Sequence, residues 1–246
     1  MTILVTRPSP AGEQLVSRLR ALGRVAYHAP LIDFAPGGDL PRLPQALQQL
    51  NPGDLVFTLS QHAVSYANAV IRRAGLQWPA HLAYYAIGRT TALALHRVSS
   101  QPVDYPRERE TSETLLLMPA LQALSNRRAV ILRGNGGRAL LGNTLSERGA
   151  AVSYYECYQR SPVHYDGAEQ SAHWQRAGVN TLVVTSGEML KQLHTLVPDY
   201  YRSTWLLQCR LVVVSERLAT LAQALGWSAV RVADNADNDA LIRALQ

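Results

Sequence analysis

The residues of this chain best suited to chemistry stand in short turns, each placed between an apolar run and a helix-like segment. They are Arg7-Pro-Ser-Pro, Ser60-Gln-His62-Ala, Gly88-Arg89-Thr90-Thr91-Ala, Arg133-Gly134-Asn135-Gly136-Gly137-Arg138, Thr185-Ser186-Gly187-Glu and Ser215-Glu-Arg. Each combines small residues, hydroxyls or guanidinium groups just ahead of a helix pattern. Unpaired backbone N–H groups and the positive end of a helix make such a turn a seat for an anion, worth ~0.3–1 kcal/mol and more where water is excluded. A single Ser before a helix is accounted for as an N-cap and a single Gly as a turn residue. Neither accounts for the repetition, nor for Arg7, Arg89, Arg133 and Arg138, which a cap does not need. The pattern predicts a binding surface that holds several anionic groups at once.

Charge agrees with an acidic partner, since 24 Lys and Arg stand against 18 Asp and Glu, for a net +6. The positive residues form no block and carry no nucleic-acid signature, which favours a small acidic ligand over nucleic acid. His28, His62, His81, His96, His164, His173 and His194 show no metal-ligand spacing, so no metal is expected. Neither a G-x-S-x-G elbow nor a G-x-x-x-x-G-K-S/T loop occurs. The run Gly134-Asn-Gly136-Gly-Arg-Ala139 formally matches a dinucleotide pattern, with Glu156 about 22 positions on. That reading wants the acid at a strand end, whereas Glu156 continues into Cys-Tyr-Gln within a strand pattern, and no cofactor is expected. Cys157 and Cys209 sit in or beside apolar runs and read as buried free thiols of a reducing compartment. Met1-Thr-Ile-Leu-Val enters a strand pattern without signal-peptide features, and no apolar run reaches the ~18–20 residues of a membrane span. A soluble cytoplasmic protein without membrane contact is expected, with monomer as the default state.

Ten apolar runs read as the strands that must position these turns: 3–6, 25–32, 55–59, 84–87, 103–105, 129–132, 151–158, 181–185, 211–214 and 230–232. Amphipathic faces such as Leu15, Leu19 and Leu22, Leu141, Leu145 and Arg148, or Leu218, Leu221 and Leu225, lie between them, so the order is mostly βαβα and the sheets should be parallel. Two similar open sheets of five strands, doubly wound in the flavodoxin manner, are the expected α/β architecture. Runs such as Leu211–Val214 are apolar on successive residues, as in strands covered on both faces. The chain also repeats itself at a shift of about 126 residues: Arg7 answers Arg133, Ser60 answers Ser186, and Gly88 answers Ser215 one position further on. Gly23 and Gly149 each end a helix pattern and lead into a long mixed run. Turn-rich Pro36-Gly-Gly and Ser161-Pro162 follow those runs and suggest linkers. The expected domains are 1–35 with 167–246, discontinuous, and 36–166 inserted between them; periodicity alone equally permits two consecutive domains cut near residue 125.

Taken in order, Leu4-Val-Thr-Arg-Pro8, Ser60-Gln-His-Ala-Val64, Ala86-Ile-Gly-Arg-Thr-Thr-Ala92, Leu132-Arg-Gly-Asn-Gly-Gly-Arg138, Tyr155-Glu-Cys-Tyr-Gln-Arg160 and Thr185-Ser186 closely resemble the uroporphyrinogen-III synthases of proteobacterial type. The resemblance spans essentially the whole chain, through Ala233-Asp-Asn-Ala-Asp-Asn-Asp-Ala-Leu. It departs at Ser215-Glu-Arg-Leu, where many relatives place a glycine-threonine turn like that at Gly88. The resemblance implies two domains joined by a two-stranded linker ladder. It implies cofactor-free cyclisation of the linear tetrapyrrole hydroxymethylbilane to uroporphyrinogen III in haem and sirohaem biosynthesis, with loss of water and inversion of ring D. Contact with the preceding pathway enzyme would be transient. That substrate is an octacarboxylate, which suits a basic chain with many anion seats. The family's candidate acid is a tyrosine that falls on Tyr158, and its binding hydroxyls fall on Thr91 and Ser186. A phenol is protonated at neutral pH and can donate to departing hydroxide. The alternative, from another class, is a two-lobed binding protein for an acidic metabolite that performs no chemistry.

Overall fold

In the computed structural model, which describes residues 1–246, helices alternate with eleven strands. They are β1 (Thr2–Val5), β2 (Val25–His28), β3 (Ile32–Pro36), β4 (Leu55–Thr58), β5 (Ala83–Ala86), β6 (Val103–Asp104), β7 (Arg128–Gly134), β8 (Ala151–Pro162), β9 (Thr181–Val183), β10 (Arg210–Val213) and β11 (Val230–Val232). The chain forms two compact units, Met1–Asp33 with Ser161–Gln246, and Phe34–Arg160. One sheet has the order β11-β10-β9-β1-β2 and the other β3-β8-β7-β4-β5-β6. The paired strands from β1 to β2, β1 to β9, β9 to β10 and β10 to β11 are parallel, as are β4 to β5, β4 to β7, β5 to β6 and β7 to β8.

The architecture is the α/β one expected, with one correction: the sheets hold five and six strands. The expected run 25–32 is two strands, with Ala29 to Leu31 between them. The Ala29 N–H still bonds the Val5 carbonyl, and Ile32 then starts β3, an edge strand beside β8. β8 itself continues past 158 to Pro162. Leu22 also departs from expectation: it is the C-cap of the helix Ala11–Ala21 and is exposed, while Leu15 and Leu19 are buried. Gly23 and Gly149 follow their helices at φ of 76° and 101°, the left-handed conformation in which a glycine ends a helix without strain.

Setting β1, β2, β9, β10 and β11 against β7, β8, β4, β5 and β6 reproduces the same spatial order, so the internal repeat is a repeat of sheet topology. Central strands are buried on successive residues, Ile3 to Val5, Leu55 to Phe57 and Leu211 to Val213, because helices cover both faces. Each fully buried aliphatic side chain of this kind contributes roughly 1.5–3 kcal/mol. In the second unit the buried Asp54 carboxylate ties the starts of β4 and β7 together. It accepts the N–H of Asn51 at 2.7 Å, the N–H of Arg128 at 2.9 Å and Arg128 Nε at 3.3 Å. Burial pushes its pKa up, and these donors outweigh that and hold it below the usual carboxylate range.

Candidate active site

In an open parallel sheet, ligands bind beyond the carboxyl ends of strands where the strand order reverses. That point lies between β4 and β7 in the second unit and between β1 and β9 in the first. The turns beside it are Ser60 and Gly134 in one, Arg7 and Ser186 in the other.

In the second unit Ser60 caps the helix Gln61–Arg73, its Oγ accepting the Ala63 N–H at 3.2 Å. The same hydroxyl donates to the Tyr158 phenol oxygen at 3.0 Å. Tyr158 reaches this position through a bulge in β8: Arg133 pairs with Glu156 and Gly134 with Tyr158, leaving Cys157 surplus. Tyr154 packs on one core cluster and Tyr155 and Cys157 on the other. Strict alternation would return Tyr158 to the side of Tyr154; the bulge keeps it on the side of Tyr155. Residues 37–39 hold the bulge open. Gly37 N–H donates to the Cys157 carbonyl at 3.0 Å, and the Asp39 carboxylate accepts the Glu156 N–H at 2.8 Å. That backbone donor first, then Arg42, keeps the Asp39 carboxyl below its ordinary range.

The phenol is further confined by its neighbours. A β-carbon on Gly134 would lie 2.7 Å from two Tyr158 ring carbons, so only glycine lets the ring pass. Asn135 exchanges two hydrogen bonds with the backbone of Arg160, at 2.8 and 3.2 Å, and so extends the β7–β8 ladder with a side chain. Tyr66 stacks on the Tyr158 ring with centroids 6.1 Å apart, and Phe34 and His62 approach at 5.8 and 5.5 Å. His62 stacks on Phe34 at 4.1 Å. Burial, and then the charge of Arg160, lower its pKa, so the ring is neutral at pH 7. Burial pushes the Cys157 thiol up to about 12, which makes it an inert core group.

The other expected site residues of this unit are placed as follows. Gly88 begins the helix Arg89–Ser99 without a side-chain cap, and the Glu110 carboxylate fills that role by accepting the Arg89 N–H at 2.8 Å. Arg89 and Thr90 are exposed and Thr91 is buried. The Arg133 guanidinium lies over the Tyr154 ring at 3.9 Å, a cation–π contact, while Arg138 is paired with Glu113. Gly136 and Gly137 are exposed with open space around them.

In the first unit Ser186 and Ser215 cap their helices by accepting the Met189 and Leu218 N–H groups, each at 3.2 Å. Gly187 opens its helix against Leu218 and Leu221, and Thr185 is half-buried. Arg7 turns its guanidinium to the Ala236 carbonyl at 3.0 Å and Asn238 Oδ1 at 2.8 Å, fixing the loop before the last helix. No cluster of His, Cys, Asp or Glu in the chain has the make-up of a metal site.

Phe34, Tyr66, Glu110, Glu113 and Arg160 join these sites without having been expected from the sequence. Tyr66 stands four positions after His62 on one helix face, a spacing that does signal adjacency. Nothing local to Glu110 links it to Gly88.

Fold and site define a class: a two-unit α/β protein with serine-capped helices at its strand-end turns and, in one unit, a phenol beside the point where the strand order reverses. Comparison with known proteins narrows it. The family described as Uroporphyrinogen-III synthase HemD matches residues 13–243. Uroporphyrinogen-III synthase of Escherichia coli (strain K12) is 61% identical and that of Salmonella typhimurium 63% identical, each over 246 residues and the whole of both chains. The crystal structure of a mutant uroporphyrinogen III synthase from the extremely thermophilic bacterium Thermus thermophilus matches in fold with a TM-score of 0.61 at 20% identity, covering 100% of this chain and 99% of that one. The chain belongs to the uroporphyrinogen-III synthase family.

Proposed function

We propose that the chain closes hydroxymethylbilane to uroporphyrinogen III and that Tyr158 donates the proton on which the step depends. The observation that carries this reading is the Tyr158 hydroxyl at the reversal point, which accepts a hydrogen bond from Ser60 and finds no acceptor of its own in the chain. The C–O bond of the ring A hydroxymethyl group breaks with its electron pair on oxygen, and the phenol proton completes a water molecule. Pyrrole nitrogen stabilises the azafulvene cation left behind. The substituted carbon of ring D attacks it, the spiro intermediate breaks and recloses with ring D inverted, and the proton then lost from the ring system restores the phenol. One water leaves and no other co-reactant is needed. Restraint of the chain of rings supplies most of the rate and all of the isomer control.

The substrate carboxylates are met by the turns at Ser60 and His62, Gly88 to Thr91 and Arg133 to Arg138 in the second unit, and by Arg7, Thr185, Ser186, Gly187 and Ser215 in the first. The two units serve as the two domains of a monomer that acts in the cytoplasm without a cofactor and meets the preceding enzyme transiently. The test is to supply purified protein with fresh hydroxymethylbilane and separate the product isomers. Isomer III is expected, and isomer I alone rejects the activity. Tyr158→Phe is expected to slow turnover ~10–100-fold with the fold intact; unchanged kinetics would assign catalysis to geometry alone.

A further inference from the structure

Ser60 stands one bond further from the reaction than Tyr158, and its two contacts have a direction. Its Oγ accepts from a backbone N–H, a group that can only donate, at 3.2 Å. Its single proton is therefore free to go to the Tyr158 oxygen at 3.0 Å, where the geometry makes Ser60 the donor. No other hydrogen bond engages the phenol, so its own proton points to whatever enters the site. We infer that Ser60 is a positioning residue that fixes the polarity of Tyr158: a one-way chain from the Ala63 N–H through the serine hydroxyl leaves the phenol facing the substrate as donor. This rests on the reading of Tyr158 as proton donor and deepens it.

The chain has a second effect. When Tyr158 gives up its proton, the departing hydroxyl oxygen of the substrate takes it and leaves as water, and negative charge appears on the phenol oxygen. A hydrogen bond from Ser60 favours that charged form, and the positive end of the thirteen-residue helix Gln61–Arg73 backs it through the same hydroxyl. Hydrogen bonds in series polarise one another, so the cap of this helix and the acidity of the phenol are set by one side chain.

Two replacements of Ser60 separate capping from polarity. Asn and Asp both cap helices well, but Asn keeps an N–H to donate to the phenol, whereas a carboxylate can only accept and would draw the phenol proton inward. Ser60→Asn and Ser60→Asp are made in the parent and in Tyr158→Phe, and kcat, KM and thermal midpoint are measured with hydroxymethylbilane. Expected are similar midpoints, a kcat within about threefold of the parent for Ser60→Asn, and a drop of about tenfold or more for Ser60→Asp, within the ~10–100-fold range set for loss of the phenol. In Tyr158→Phe the two should have the same kcat, because no phenol remains to be oriented; repulsion of substrate by the new carboxylate belongs to KM. Equal kcat for the two in the parent, or a Ser60→Asp deficit that persists in full in Tyr158→Phe, overturns the inference while leaving Tyr158 as donor. A Tyr158→Phe variant as fast as the parent overturns both.

Discussion

Gly134→Ala is the sharpest test of how the phenol is held. The added β-carbon would lie 2.7 Å from Cε2 and Cζ of Tyr158 and 3.0 Å from its oxygen. Carbon atoms in contact rest about 3.5–4.0 Å apart, so the ring must retreat by roughly 0.8–1.3 Å. The Ser60 contact, now 3.0 Å, would then pass the ~3.5 Å at which a hydrogen bond is lost. Phe34, His62 and Tyr66 already surround the ring, which denies it an easy escape. Overpacking of this kind costs about 1–3 kcal/mol, and the lost hydrogen bond about 0.5–1.5 kcal/mol. A stability loss of about 1.5–4.5 kcal/mol is expected by urea titration followed through tryptophan fluorescence. Because a misplacement near 1 Å can cost a factor approaching ~100, kcat should fall at least tenfold, with KM changed far less. The backbone adds nothing to the penalty, since Gly134 is not in the left-handed region. A variant with parental stability and parental kcat would refute the placement of Tyr158 against this turn.

Three further outcomes are expected. Glu110→Gln weakens the internal carboxylate that occupies the Arg89 N–H and should lower KM about 2–5-fold at low salt, matching the ~0.3–1 kcal/mol of a charge at a helix N-terminus; an unchanged KM would mean that substrate does not use this seat. Asp54→Ala strips a buried acceptor from the N–H groups of Asn51 and Arg128 and should cost about 2–4 kcal/mol in denaturant titration while kcat stays within about twofold; a loss below about half a kcal/mol would contradict the anchoring role. His62, whose pKa burial and Arg160 lower in the fold, binds its proton more readily when unfolded, so stability is lost as pH falls through ~6.5 and levels off below the folded value. His62→Phe keeps a ring on Phe34 and should flatten the difference in urea midpoint between pH 7.5 and 5.5, partly rather than wholly because His194 shifts in the same direction.

The features legible in the sequence are those with local causes. Leu211 to Val213 announce a doubly covered strand by successive apolar residues, and Ser60, Ser186 and Ser215 announce caps by a hydroxyl ahead of a helix pattern. What eluded the sequence depends on partners distant along the chain. The bulge at Cys157 needs residues 37–39 to hold it, and no periodicity inside β8 marks it. Arg133 reads as a free cation until the ring of Tyr154 is placed beneath it. Gly88 reads as an open seat until Glu110, more than twenty residues on, arrives to close it. Tyr158 could be singled out only through family resemblance, because a tyrosine in a tyrosine-rich strand carries no mark of its own.

The surplus residue in β8 comes only after β7 and β8 have paired in step from Arg128 with Ala151 to Arg133 with Glu156. Where the first unit repeats this arrangement, β1 and β2 run in step from Thr2 with Val25 to Val5 with His28, and His28 hydrogen-bonds the Arg7 carbonyl of its own turn at 2.8 Å. Beyond that point the Ala29 N–H bonds the Val5 carbonyl and the Leu31 N–H that of Thr6, so this strand too gains one residue on its partner. Two copies of one architecture thus put the same miscount to different ends: the extra amino acid delivers a phenol to the hydroxyl of Ser60 in one and sinks the side chain of Leu31 into the interior of the other.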